Sequence, residues 1–266
     1  MPVQVQSFFH RDSNTFSYLV SDPASSEAAL IDPVLDYDPD TDASSEAPLH
    51  AALQAIEQHR LQLRWLLETH AHADHVSAGR RLKHRFPQAT LAIGEGIRAV
   101  QATFAPRYGL QLPAADEIFD HLFSAGETFA LGELRCQVIA VPGHTSDSIA
   151  YLIDDALFTG DSLFMPDGGT ARCDFPGGDA AQLYRSIQRL LALPDATRVF
   201  VCHDYGPGGR DFANETTIGE QRAHNIHVHD GVAEAEFVSV RQARDATLAE
   251  PQLMQPAVKA NIQGGA

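Results

Sequence analysis

Apolar runs of strand length alternate with amphipathic segments in both halves of this sequence. Short apolar patterns predict strands at residues 3–9, 16–20, 28–33, 65–68, 90–93, 134–141, 149–153, 156–159 and 198–202. Apolar residues at helical spacing predict helices at residues 49–59, 76–86 and 180–193. This order predicts an α/β fold, in which two mixed sheets pack together with helices outside them, as a single domain over residues 1–266.

Two further segments are predicted from their composition. Residues 36–48 are acidic and rich in serine and proline, which is typical of a surface loop. The C-terminal part, at about 214–250, is predicted to be helical. We expect the last residues, Gln263 to Ala266, to be frayed.

Composition narrows the range of partners. The chain carries a formal net charge of −16 at pH 7, which disfavours nucleic acid or an anionic membrane, because both attract basic patches. No apolar run has the length of a transmembrane helix, and the first ten residues lack the features of a signal peptide. We therefore expect a cytoplasmic protein that acts on a small molecule.

The three cysteines share no short spacing, which excludes a disulfide framework and a cysteine-based zinc site. Cys136 and Cys202 lie in strand-like runs and are predicted to be buried. Cys173 differs, because it lies among polar residues and glycines near the chemically active segments described next.

The densest chemical motif is Thr-His-Ala-His-Ala-Asp-His at residues 69–75, directly after an apolar strand. It places His70, His72, Asp74 and His75 in one short loop. Imidazole and carboxylate groups are metal ligands, and a strand that ends in a turn can hold them in convergent positions. The motif therefore predicts a metal site.

Three later strands also end in residues of ligand type. His144 follows a Val-Pro-Gly turn, Asp161 follows Phe-Thr-Gly, and His203 follows a strand that ends at Cys202. A single histidine at a strand end is ordinarily a surface residue. Four strand ends that agree predict one shared centre.

The ordered motifs THAHADH, PGHT, TGD and CHD resemble those of the metallo-β-lactamase fold superfamily, and the resemblance covers roughly the whole chain. It implies an αββα sandwich with metal at one edge. Because this superfamily catalyses diverse reactions, the fold alone does not give the function.

The resemblance implies two alternative enzymes. In dizinc hydrolases such as glyoxalase II, His70, His72 and His144 would hold one metal, Asp74, His75 and His203 a second, and Asp161 would bridge them. Such a site activates water to attack a thioester. In persulfide dioxygenases, one Fe(II) per chain would be held by the catalytic set His70, His144 and Asp161, and the other four residues would surround it or form a vacant second site.

The flanking sequence favours the dioxygenase. Residues 169–175 resemble the segment that follows the aspartate ligand in those enzymes, and His203-Asp204-Tyr205 resembles their His-Asp-Tyr motif, where glyoxalase II typically has His-Glu-Tyr. The C-terminal part offers Arg241, Arg244 and Lys259 but no evident basic cluster for glutathione carboxylates. The implied reaction oxidises a thiol persulfide, with glutathione persulfide the first candidate, by O₂ to sulfite and free thiol.

Substrate contacts are predicted at two positions. Arg172 is a candidate for pairing with a substrate carboxylate, although a salt bridge within the protein is equally compatible with the sequence. Tyr205 could donate a hydrogen bond to substrate or simply be half-buried. A homodimer is compatible with the resemblance.

The remaining histidines and a non-enzymatic role were also considered. His224, His227 and His229 form a separate group, for which a solvated helix end is favoured over a second metal site. A non-catalytic metal-binding module would be expected to lack a ligand, and none of the ligands is missing here.

Overall fold

The computed structural model describes residues 2–266 of the chain. In chain order the strands are β1 (Gln4–His10), β2 (Thr15–Ser21), β3 (Glu27–Ile31), β4 (Val34–Asp38), β5 (Ala43–Ser45), β6 (Gln62–Leu67), β7 (Val76–Ser77), β8 (Thr90–Gly94), β9 (His121–Phe123), β10 (Thr128–Leu131), β11 (Leu134–Ala140), β12 (Ile149–Ile153), β13 (Ala156–Phe158), β14 (Arg198–Phe200) and β15 (Glu215–Thr217). The helices are α1 (His50–Gln58), α2 (Gly79–Arg85), α3 (Ile97–Arg107), α4 (Ala115–Ile118), α5 (Ala180–Leu191), α6 (Ile218–His224), α7 (Glu234–Asp245) and α8 (Met254–Asn261).

The strands form two mixed six-stranded sheets and one small sheet. The first sheet has the order β1-β2-β3-β6-β8-β9, and β3, β6, β8 and β9 run parallel. The second has the order β10-β11-β12-β13-β14-β15, with β13 and β14 parallel. Parallel neighbours need crossover connections, which α1, α2 and the pair α3 and α4 supply in the first sheet.

The two large sheets pack face to face around an aromatic core. The ring of Tyr18 on β2 lies 5.3 Å from that of Phe158 and 5.5 Å from that of Phe200, on the opposite sheet. Its hydroxyl donates to the carbonyl of Val201 at 2.5 Å, so the one polar atom of this ring is paired. Burial raises the pKa of Tyr18 well above its usual value, which keeps the phenol neutral. Each such ring stabilises the sandwich by about 2 kcal/mol.

Helices cover the outer face of both sheets. Apolar residues of α1, α2, α3 and α8 pack on the first sheet, and those of α5, α6 and α7 pack on the second. On α5, Leu183, Ile187 and Leu190 form the buried stripe, and the carboxylate of Asp179 caps the first turn by accepting from the amide of Gln182. The layers are therefore helix, sheet, sheet, helix, which confirms the predicted αββα sandwich.

Two predictions of local structure between residues 36 and 86 were wrong. Residues 36–48 are not simply a loop, because they contain a short polar hairpin of β4 and β5 in which Asp36 pairs with Ser45. The helix predicted at 76–86 begins only at Gly79, since Val76 and Ser77 pair with β4. In both cases backbone pairing between distant or polar segments outweighs the local side-chain pattern.

The C-terminus is not frayed, contrary to expectation. Ile262 is fully buried. The amide of Arg80 donates to the carbonyl of Gly264, and the amide of Ala266 donates to the carbonyl of Ser77. The polar, glycine-rich composition suggested mobility. However, because Gly264 and Gly265 have no side chains, this segment can pack closely against α2. In residues 2–266, no helix combines the length and apolar character needed to cross a bilayer.

Gly143, one residue before His144, provides a test of how the second sheet is joined to α5. Its φ is +141°, and a Cβ there would lie 2.3 Å from the backbone nitrogen of Leu183. We expect Gly143→Ala to destabilise the protein by about 2–3 kcal/mol in chemical denaturation, because both backbone strain and a clash with a helix must be relieved.

Gly109 is the matched control for that substitution. It also has a positive φ, of +65°, but a Cβ there would meet no atom within 4 Å. Gly109→Ala should cost only about 1 kcal/mol. Equal losses for the two variants would contradict the claim that contact with α5 dictates glycine at 143.

Candidate metal centre

Four chain segments bring ligand-type residues to one edge of the sandwich. The loop after β6 supplies His70, His72, Asp74 and His75, and the turn between β11 and β12 supplies His144. Asp161 and His203 follow β13 and β14, whose carboxyl ends meet at the same edge because the two strands are parallel. The structure thus brings together the seven residues predicted from the sequence to lie at a metal centre.

Two buried carboxylates hold the histidine loop in shape. Asp32 accepts hydrogen bonds from the amide of Thr69 at 2.7 Å and from its hydroxyl at 2.9 Å. Asp147 accepts from the amide of Ala71 at 2.8 Å. Amide groups of this loop therefore bond to side chains where regular structure offers no partner.

The first group of ligand atoms comprises His70, His144 and Asp161, which are all buried. The Oδ2 atom of Asp161 lies 3.9 Å from Nε2 of His70 and 3.6 Å from Nε2 of His144. His144 Nδ1 donates to the carbonyl of Arg172 at 2.7 Å, so its Nε2 keeps a lone pair. His70 is oriented similarly, because its Nδ1 lies 3.1 Å from the hydroxyl of Thr69, whose proton is given to Asp32.

The second group comprises His72, Asp74, His75 and His203. His75 Nδ1 donates to Asp74 at 3.2 Å, and His203 Nδ1 donates to the carbonyl of Asn14 at 3.2 Å. Nε2 of His203 lies 3.5 Å from Asp74 and 3.3 Å from Oδ1 of Asp161. Asp161 therefore faces both groups, one with each oxygen.

The orientation of these atoms fits a bound cation. Nε2 of His70, Nε2 of His75 and Oδ1 of Asp161 are buried without a hydrogen-bond partner. Buried polar groups are ordinarily paired, and those left unpaired at one place commonly coordinate an ion. Imidazole and carboxylate donors suit both Zn²⁺ and Fe²⁺. The protein has a histidine and aspartate metal-binding site, and its donors do not by themselves select the metal.

The pKa values of the residues in these two groups also indicate a site that favours a bound cation. Burial would lower the pKa of His203, but the carboxylates of Asp161 and Asp74 raise it to about 10. Burial would raise the pKa of Asp161, yet His203 and the other nearby imidazoles hold it well below its usual value. Burial and the neighbouring His72 lower the pKa of His70, which keeps that ligand neutral. The carboxylates are thus ionised and stabilise a cation between them.

A cavity of about 420 Å³ opens onto His144, Asp161 and His203. Its volume is in the range of small-molecule sites. Away from the ligands, the wall includes aromatic, apolar and cationic side chains: Phe164, Arg172, Phe175, Tyr205, Arg241, Arg244 and Leu248. A substrate could thus reach the metal with one end while its other end contacts arginines.

The two predicted substrate residues both line this cavity. Arg172 forms a two-bond salt bridge to Asp174 at 2.6 and 2.7 Å and lies over the ring of Phe175 at 4.9 Å, so its charge is already paired. Tyr205 is 58% exposed and its ring is parallel to that of His203, with centroids 6.0 Å apart. Contact of either residue with substrate stays a prediction.

Sequence reasoning missed the contribution of α7 to the cavity. Arg241 and Arg244, which showed no evident cluster along the chain, lie three residues apart on one face of this helix, and both reach the cavity wall. Arg241 is buried and bonded to Asp245 and to the carbonyl of Thr170. Arg244 is exposed and forms no salt bridge with residues 2–266. The spacing of three residues between Arg241 and Arg244 was the one feature of the sequence that could have indicated a shared helix face.

His224, His227 and His229 do not share one environment. His224 and His229 are exposed as predicted, whereas His227 is buried and its Nδ1 accepts from the amide of Thr170 at 3.0 Å. The prediction of a solvated helix end was therefore wrong for His227. Asn225 explains the difference, because its side-chain oxygen accepts from the amides of His227 and Val228 and turns the chain inward.

The cysteines contribute no exposed thiol to the cavity. Cys136 and Cys202 are buried, as predicted, and Cys173 is buried as well. The amide of Cys173 donates to Asp245, and burial raises the pKa of its thiol to about 12. Cys173 is thus protonated at neutral pH and unsuited to act as a nucleophile.

Comparison with known proteins gives the family. A model described as the metallo-beta-lactamase superfamily matches residues 10–203. The chain belongs to this superfamily, which confirms the resemblance seen in the motifs.

Individual relatives carry different names. The chain is 44% identical to a probable metallo-hydrolase of Burkholderia pseudomallei, and 42% identical to glyoxylase B2 of Dictyostelium discoideum. In each case 98% of this chain is covered, with 92% and 91% of the relative. The human mitochondrial persulfide dioxygenase ETHE1 is 30% identical over 99% of this chain and 89% of its own. Among solved structures, ETHE1 from Myxococcus xanthus aligns with a TM-score of 0.80 and 34% identity, covering 99% of this chain and all of the other.

His227 generates a pH prediction. Burial, together with the charge of Arg241, lowers its pKa from about 6.5 to about 4. The unfolded chain therefore takes up a proton at pH values where the folded protein does not. The contribution of His227 to stability is complete above about pH 6.5 and is lost as the pH falls towards 4.

In His227→Asn, an amide oxygen can replace Nδ1 as the acceptor for Thr170, and it does not titrate. Both metal-free proteins lose stability as the pH falls from 7.5 to 4.5. We expect the loss in free energy of unfolding to be about 2 kcal/mol smaller for the variant than for the wild type. Parallel pH curves for the two proteins would contradict this assignment.

Proposed function

We propose that this protein is a persulfide dioxygenase that uses one Fe(II) held by His70, His144 and Asp161. The observation that carries the proposal is the grouping of two histidines and one carboxylate, of which His144 and Asp161 line an open cavity. Two histidines and one carboxylate would hold the iron and would leave positions open for both O₂ and a sulfur substrate, as in many non-haem iron oxygenases. The similarity to ETHE1 proteins over nearly the whole chain supports the same choice.

The proposed reaction converts a thiol persulfide, O₂ and water into the free thiol, sulfite and two protons. The outer sulfur of the persulfide is oxidised, O₂ is reduced, and water supplies the third oxygen of sulfite as the sulfur–sulfur bond breaks. Ferrous iron, when bound, supplies the redox chemistry and brings both reactants together. The protein contributes geometry, charge and the exclusion of competing reactions.

Each protein group has a defined task in this proposal. The carbonyl of Arg172 fixes the tautomer of His144, and the Thr69 and Asp32 relay fixes that of His70. Arg244 would bind a substrate carboxylate, because its guanidinium reaches the cavity wall unpaired by any acid of residues 2–266. Tyr205 would close the cavity mouth beside His203.

A dizinc thioesterase is the second candidate. His72, Asp74, His75 and His203 form a complete second set of ligand atoms, and Asp161 faces both sets. The name of the glyoxylase B2 relative favours this alternative. In that case water activated between two metals would attack the thioester carbonyl.

The deciding experiment compares two substrates and two metals. Protein loaded with Fe(II) is given glutathione persulfide and its oxygen uptake is measured, while zinc-loaded protein is given S-lactoylglutathione. The proposal predicts one O₂ consumed for each sulfite released. Zinc-dependent thioester cleavage without oxygen uptake would overturn it in favour of the hydrolase.

Ligand substitutions separate the two metal arrangements. We expect Asp161→Asn to lower oxygenase activity at least about 1,000-fold with loss of bound iron, because one of three protein ligands is weakened. His75→Asn should keep about one iron per chain and stay within about tenfold of wild-type activity. Loss of one of two metals in His75→Asn, with activity lost as in Asp161→Asn, would indicate a dinuclear site.

The role of Arg244 is testable through KM. Arg244→Ala should raise the KM for glutathione persulfide about tenfold with kcat little changed, because a charge-assisted bond to a distant carboxylate is removed. Arg185→Ala is the control, since Arg185 pairs with Glu234 on the exposed surface. A change in kcat alone, or an equal effect of both variants, would contradict a binding role.

A further inference from the structure

Asn261, the last residue of α8, connects the C-terminal segment to the histidine loop. It is 4% exposed and lies 186 residues after His75 in the chain. Its Nδ2 group donates to the carbonyls of His72 and His75, each at 2.8 Å, and its Oδ1 atom accepts from the amide of Ser77 at 2.8 Å. Both donor hydrogens and one acceptor position of the carboxamide are used.

The three bonded groups bracket one tight bend of the backbone. His72 and His75 carry two of the candidate ligands, and Ser77 belongs to β7, where the loop ends. A carboxamide that spans both carbonyls fixes their separation and thereby the directions of the two imidazoles. Other side chains orient imidazoles of this centre by bonding to ring nitrogens, whereas Asn261 bonds to the backbone alone.

The opposite side of Asn261 is also held in place. Val258 on α8 and the following Ile262 are buried in the core of the first sheet, and Gln101 of α3 donates to the carbonyl of Ile262 at 2.9 Å. The carbonyl of Gly264 accepts from the amide of Arg80 at 2.7 Å. The carboxamide therefore extends from a rigid segment rather than from a mobile tail.

We propose that Asn261 is a positioning residue of the metal centre, which sets the conformation of residues 72–77 so that His72 and His75 face the other ligands. It touches neither metal nor substrate. Without it, two buried carbonyls and one amide would lack this partner, and the loop would relax to satisfy them. The inference concerns the group that contains His72 and His75. These side chains would bind a second metal in the hydrolase and surround the iron in the dioxygenase, and groups that surround a metal also affect how tightly it is bound.

The test uses Asn261→Asp and Co²⁺ as the probe metal. Aspartate keeps the size of the side chain and the acceptor for Ser77, but it places an oxygen where the donor faced the carbonyls of His72 and His75. We expect the Kd for Co²⁺, measured by chelator competition, to rise about 10–100-fold. The visible absorption bands of bound Co²⁺ should change, because they report ligand geometry.

Gln101→Ala is the matched control, because it removes a tether to the same C-terminal segment without contact to the histidine loop. It should lower the Tm while leaving the Kd for Co²⁺ within about twofold and the absorption bands unchanged. A Kd within twofold of wild type in Asn261→Asp would overturn the proposal. Equal losses of affinity in the two variants would do so as well, since they would indicate a general effect of stability.

A measurement on the wild type decides the matter if Asn261→Asp does not fold. Hydrogen exchange is followed with and without Zn²⁺. The proposal predicts that peptides covering residues 72–77 and 258–262 become protected together when the metal binds. Protection of residues 72–77 alone would show that the loop is ordered independently of Asn261 and would overturn the proposal.

Discussion

The main constraint on this structure is that several buried imidazoles and carboxylates must lie close together, with their ligand atoms facing one another. Such groups repel when alike and lose hydration when buried, so their convergence is unfavourable without a cation. The αββα sandwich supplies the stabilisation, through two sheets, an aromatic core and helices on both sides. The centre lies at the edge of the sandwich, where strands end and loops can turn towards one point.

A set of fixed hydrogen bonds converts that convergence into defined geometry. Asp32 and Asp147 hold amides of the histidine loop, and carbonyl groups select the tautomers of His144 and His203. These partners come from strands, turns and loops distant in sequence. Ligand orientation is therefore a property of the whole fold, and metal affinity should respond to substitutions that contact no metal.

The sequence predicted the layers and which residues converge at the candidate site, because both follow from local order. A strand followed by His, Asp and Gly can be recognised within ten residues, and four such ends imply a shared edge. The packed C-terminus and the burial of His227 escaped prediction, because each depends on a partner far along the chain. The hairpin of β4 and β5 is local, but its acidic and serine-rich sequence is typical of a loop. The roles proposed for Arg244 and Asn261 could not be predicted from the sequence either. Arginine and asparagine are common residue types, and only the positions of α7 and α8 bring these two side chains to the cavity and to the histidine loop.

Iron-edge anomalous diffraction from crystals grown with Fe(II) tests the central claim most directly, because it locates each bound metal. The account predicts one strong peak per chain, bounded by His70, His144 and Asp161, with its open side towards the cavity. A second peak of similar height among His72, Asp74, His75 and His203 would contradict the mononuclear assignment, and the dinuclear hydrolase would then be the better description.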